Sequence, residues 1–120
     1  MKTILLALIL TLSTTSVMAI ENQRQRPFGL KAQVSEMRAE TPNYFSCMLT
    51  KANTKWGTDQ NMVLYTVKSQ VSAYWDFREG DYPEQIILDA FEKWGCNFVM
   101  IMHMIKTQVN AQDTLGDLLN

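Results

Sequence analysis

The 120-residue chain holds one histidine, two cysteines, three prolines and five glycines, and each scarcity narrows what it can do. A lone histidine excludes a His-Glu-x-x-His metal site, and no Gly-x-Ser-x-Gly elbow or phosphate-cradling glycine loop occurs. Without a Cys-x-x-Cys spacing, a thioredoxin-like redox site is also unsupported. Carboxylates are plentiful at Asp76, Glu79, Asp81 and Glu84, but helix capping and surface solvation account for most of them. No enzyme and no cofactor are expected. Eleven basic and twelve acidic residues give a formal net charge of −1 with no basic run, which disfavours nucleic acid and anionic membranes as partners. There is no internal repeat and no low-complexity tract.

What is present begins with a leader. Lys2, an apolar or hydroxyl run over residues 4–12 and the small-residue exit Val17-Met18-Ala19 form the three parts of a secretory signal peptide. The run is about half the ~20 residues that cross a bilayer. Residues 1–19 are therefore expected to be removed after Ala19, leaving a periplasmic chain with no membrane attachment. The remainder, about 100 residues, suits one domain with one modest core. In an exported protein an isolated cysteine pair is most often a disulfide, so Cys47 and Cys96 are expected to be bridged.

Along the mature chain, residues 20–28 are polar and interrupted by Pro27, reading as a loose N-terminal tail before a single helical domain over residues 29–120. Leu30, Val34 and Met37 recur at helical spacing as far as Thr41-Pro42, where a second helix can start with proline in its first turn. That helix carries Tyr44, Phe45, Met48, Ala52 and Trp56 and stops at Gly57. Thr58-Asp59 can cap a third helix reaching about Arg78. Val63, Val67, Val71 and Tyr74 form its face, and Leu64 and Trp75 widen it. Residues 63–77 also alternate like a strand, but fifteen residues is far beyond the usual strand length of about five or six and no hairpin turn divides them. Asp81 and Glu84 have capping-box spacing, and Ile87, Ala90, Phe91 and Trp94 then follow at i, i+3, i+4 and i+7 up to Gly95. A last helix is expected over residues 98–105, with a weakly docked polar end beyond residue 108. The expected fold is all-α: a compact bundle of four to five helices with one disulfide, Cys47–Cys96.

Two clusters carry the functional question. Met100, His103 and Met104 share one stretch, and thioethers with imidazole suit Cu(I). Val99, Ile101 and Ile105 surround them, however, and methionine is an ordinary core filler. A buried helix accounts for every methionine in the cluster, whereas a metal accounts for none of the isoleucines. Core is the reading, with His103 structural and copper binding the alternative. The second cluster is residues 74–84 (YWDFREGDYPE), where four aromatics interleave with four acids and one arginine. Tyrosine, tryptophan and arginine carry much of the energy of protein interfaces, and acids favour a basic partner. Trp75, Phe77, Arg78, Glu79, Asp81 and Tyr82 are the candidate partner-binding residues, against the plainer reading of core plus caps.

Residues 43–52 (NYFSCMLTKA) resemble the cysteine-bearing first core helix of the type VI secretion amidase immunity proteins. Residues 72–77 (SAYWDF) and 83–93 (PEQIILDAFEK) are similar to that family's next helix pair. Cys96 follows Trp94 more closely than that family's second cysteine, which lies in a later helix. The resemblance implies a small, exported, all-helical protein with one disulfide. It further implies a periplasmic inhibitor that occludes the cysteine–histidine cleft of a cognate secreted amidase toxin, one that cuts peptidoglycan cross-links. Such proteins commonly act as homodimers. The alternative is a small periplasmic stress chaperone exposing apolar surface at low pH, against which stands a charged-residue content of only 19%.

Overall fold

Five helices follow one another: α1 (Leu30–Glu40), α2 (Pro42–Trp56), α3 (Gln60–Glu79), α4 (Glu84–Trp94) and α5 (Phe98–Leu119). They belong to a computed structural model that describes residues 24–120; the expected leader and its cleavage point lie outside the described residues. Among the described residues there is no strand, and the alternating stretch is the inside of a twenty-residue helix.

The boundaries have local causes. Thr41 closes α1 by donating its amide and its hydroxyl to the Met37 carbonyl, and Pro42 opens α2 with no amide to lose. Gly57 and Gly95 take positive φ values of 56° and 60°, a turn that a side chain disfavours, and end α2 and α4. The Asp59 carboxylate accepts from the Met62 amide at 3.2 Å to cap α3. Asn97 does the same for α5, accepting from Met100 at 3.2 Å.

Two expectations fail. The Asp81–Glu84 box does not form, because Pro83 (φ −60°, ψ 134°) is itself the cap of α4 and Asp81 stands two residues outside it. The last helix does not stop near Ile105. No proline interrupts residues 106–119, so α5 continues as one 22-residue helix through the polar end.

α4 turns Ile87 and Ala90 inward, with Phe91 and Trp94 packed at the edge, as its spacing predicts. The core is centred on Phe98, in the first turn of α5. Its ring stands edge-on to Tyr44 of α2 at 5.8 Å, Tyr74 of α3 at 5.2 Å and Phe91 of α4 at 5.8 Å. Such edge-to-face pairs contribute roughly 0.5–1.5 kcal/mol each beyond their buried area. The Phe98 backbone is fixed as well, donating to Gln70 Oε1 at 2.6 Å while Gln70 Nε2 donates to Asn97 Oδ1 at 2.9 Å. Cys47 and Cys96 form the expected disulfide, with Cα atoms 6.1 Å apart, tying α2 to the α4–α5 turn beside this cluster.

Candidate interaction surface

The helical half of residues 74–84 faces inward. Trp75 and Phe77 are fully buried, and the Trp75 indole donates to the Gln33 carbonyl at 3.1 Å. Arg78 is 7% exposed and lies under the N-terminal segment. These three cannot meet a partner, which corrects the sequence expectation. The reason is that α3 is the central helix, packed by α2, α5 and α1 on different sides, so its interface-like residues serve the core. Glu79 and Asp81 are exposed, and Tyr82 is half-buried, its ring lying so close to Gly80 that a Cβ there would collide with it.

Nor is the segment before α1 loose where it is described. The Arg24 amide donates to the Arg78 carbonyl at 2.6 Å, and its guanidinium pairs with Glu36 and Glu40 over the Trp75 ring. Arg26 reaches Asp76 at 2.7 Å and Glu79 at 3.3 Å. Beneath this strap Arg78 donates to Glu40 Oε1 at 2.6 Å and to the Tyr74 hydroxyl at 3.0 Å, while that hydroxyl donates to Glu40.

Burial raises the Tyr74 pKa above its ordinary 10.0, opposed by the Arg78 charge and hydrogen bond and by Arg24. Tyr82 is raised too, by burial and then by the negative charges of Asp76 and Glu79. A folded pKa above the unfolded one means that the native state holds the proton more tightly. This stabilisation is complete below pH 10 and is lost as the pH climbs from the unfolded value through the folded one. Urea midpoints measured from about pH 8 to 11 should therefore fall, and Tyr74→Phe should flatten that fall. An equal fall in the variant would show that Tyr74 does not contribute to it.

The methionine–histidine cluster is divided. Ile101, Met102 and Ile105 are buried as expected and Met104 packs against the core, whereas Val99 and His103 are exposed. His103 therefore faces solvent, not the interior. Met100 and His103 line two different grooves. Among the described residues no three His, Cys, Asp or Glu side chains converge on a metal position, and both cysteines of the chain are in the bridge.

Those grooves form the surface that the sequence did not single out. The larger, about 830 Å³, runs between α3 and α5 and is lined by Leu64, Tyr65, Val99, Met102 and His103, with Lys68 and Lys106 at its rim. The smaller, about 440 Å³, lies between α2, α3 and α5 and carries Lys51 and Lys55. Tyr65, Ser69 and Val99 belong to both, so the two are one surface with a ridge. Tyr65 is 64% exposed, and Leu64 beside it is also open. Among the described residues every ion pair is made by an arginine, so none of these four lysines is paired with a carboxylate of those residues. Asp76, at the far end of the large groove, is paired with Arg26. The surface is apolar with a positive rim, on a chain whose net charge is negative. Only half of its signal was available in the sequence: Tyr65 is left over once the 63-67-71-74 face is assigned inward, whereas Leu64, expected to widen that face along with Trp75, turns out to solvent instead.

Comparisons with family models, curated proteins and solved structures give no match to this chain.

Proposed function

We propose that the protein is a periplasmic immunity protein that binds and occludes a secreted peptidoglycan amidase. Its contact surface is the α3–α5 groove. The observation that carries this reading is the exposed Tyr65, flanked by Leu64 and Val99 on two helices held rigid by the core. A tyrosine with apolar neighbours on a stiff wall contributes contact area at little entropic cost, which is how interface hot spots work. The disulfide suits an oxidising compartment. The segments resembling the amidase immunity proteins fall in α2, at the end of α3 and in α4. The lysine rim favours an acidic border on the toxin's cleft and speeds encounter.

The test is to direct peptidoglycan amidases to the periplasm of a sensitive host, with and without this protein. Rescue of growth and recovery of a 1:1 complex are expected for the cognate amidase. Tyr65→Ala combined with Val99→Glu should abolish both while leaving the circular dichroism spectrum unchanged. Neither rescue nor a complex across a panel of amidases would eliminate the proposal. Rescue that survives the double variant would move the contact surface elsewhere.

A further inference from the structure

The segment before α1 sits on the bundle as a peptide ligand sits in its site. Arg24 and Arg26 reach the body while Gln25 between them is exposed, the two-residue alternation of an extended chain. Pro27 holds Arg26 in that extended range. Two carboxylates meet each arginine: Glu36 and Glu40 of α1 for Arg24, Asp76 and Glu79 of α3 for Arg26. The backbone is gripped as well. The Arg24 amide donates to the Arg78 carbonyl at 2.6 Å, and the Arg26 amide to Glu79 Oε2 at 3.1 Å. The Trp75 ring, 5.3 Å from the Arg24 guanidinium, forms the floor.

The buried side chains beneath are partnered without it. The Trp75 indole donates to the Gln33 carbonyl, and Tyr74 and Arg78 both donate to Glu40. The joint to α1 is slight. Phe28 is fully exposed, Gly29 caps the helix at φ 90° with no side-chain hydrogen bond, and Gln33 alone reaches back, to the Pro27 carbonyl at 3.0 Å. Every ion pair of the two strap arginines is partly exposed, so each contributes little and the segment can lift as a unit. Lifting it uncovers four carboxylates, of which only Glu40 keeps a partner among the described residues, Arg78. We infer that this cradle is a recognition site for an extended Arg-x-Arg-Pro segment of another polypeptide, with the chain's own residues 24–27 as its built-in competitor. Arginine is needed at both places, because its planar fork of donors spans two carboxylates and a lysine ammonium does not match that geometry. The tether keeps the cradle filled at an effective concentration of about millimolar, so a partner that adds contacts elsewhere is the one that displaces it.

Isothermal titration calorimetry with a synthetic peptide of residues 20–29, and no amidase, tests this apart from the proposed function. Arg24→Gln with Arg26→Gln in the full mature chain weakens the internal competitor and keeps the cradle. This variant should bind one peptide per chain, and the wild type at least about tenfold more weakly. A peptide carrying lysine at both arginine positions should bind the variant about tenfold more weakly. Adding Asp76→Asn and Glu79→Gln to the variant, both at partly exposed positions, should abolish binding. Circular dichroism checks each fold. Should the double variant not fold, Arg26→Gln alone frees Asp76 and Glu79 without touching the Glu40–Arg78 pair, and should bind the peptide more tightly than the wild type does. A folded variant that binds no peptide up to about 1 mM overturns the inference. So does equal affinity in wild type and variant, which places the peptide elsewhere, or equal affinity for the lysine peptide, which makes the cradle a charged patch.

Discussion

Replacing Cys47 and Cys96 by alanine is expected to lower the unfolding free energy by about 4 kcal/mol. The cysteines are 49 residues apart in sequence, and the bridge shortens the unfolded chain's reach by closing that loop. A domain of this size is typically stable by roughly 5–15 kcal/mol, so the loss is a quarter or more of the total. Location adds to the effect. Cys47 lies one turn from Tyr44, and Cys96 two residues before Phe98, whose rings meet at 5.8 Å. Without the bridge the α4–α5 turn keeps the Phe98 ring contacts and the Gln70–Asn97 and Gln70–Phe98 hydrogen bonds, the latter contributing about 1 kcal/mol each. Phe98 is the element most exposed to that loosening. Urea unfolding of the double variant, and of the wild type with reductant, should give the same displaced midpoint and a melting temperature lower by on the order of 20 °C. A change below about 1 kcal/mol would mean that the packed helices alone fix this corner.

The helices and the bridge were legible because their causes are local or compositional. Pro42, Gly57, Asp59 and Gly95 punctuate the chain where it turns, and the 87-90-91-94 spacing orients α4 without reference to any neighbour. The failures share the opposite property. Arg24 and Arg26 grip carboxylates that are 12 to 53 residues away, and nothing in a polar segment with a proline announces such partners. Residues 74–84 have the composition of an interface, and composition does not say which way a side chain points. Only the packing of α3 among its neighbours decides that Trp75 is inside and Tyr65 outside. α5 runs on past Ile105 because a helix already nucleated can extend through polar residues at little cost. That extension leaves three leucines in solvent, which no periodicity count over residues 98–105 alone would reveal.

Glu40→Ala is the second large effect, expected to cost about 3–5 kcal/mol. Glu40 sits at the junction of the strap and the core, accepting from Arg78 and Tyr74 on one oxygen and pairing with Arg24 on the other. Arg78 is buried, and among the described residues its Nε has no hydrogen-bond partner, so its compensation rests on Nη1, which donates to Glu40 and to the Tyr74 hydroxyl. Truncating Glu40 strands that charge and frees Arg24 from α1 except through Glu36. The converse change is milder. Arg78→Met removes the buried charge along with its partner's contact, fills similar volume, and leaves Glu40 half-exposed and still paired with Arg24. Replacing a buried ion by an apolar side chain is often close to neutral, whereas breaking a pair from one side is not. Tyr74→Phe should cost about 1 kcal/mol, one hydrogen-bonding hydroxyl. The order Glu40→Ala, then Tyr74→Phe and Arg78→Met together at the mild end, is readable from urea midpoints at neutral pH. If Arg78→Met proved the most damaging of the three, the arginine stem and not its charge would be what the core requires, and Glu40 would serve chiefly to hold the strap.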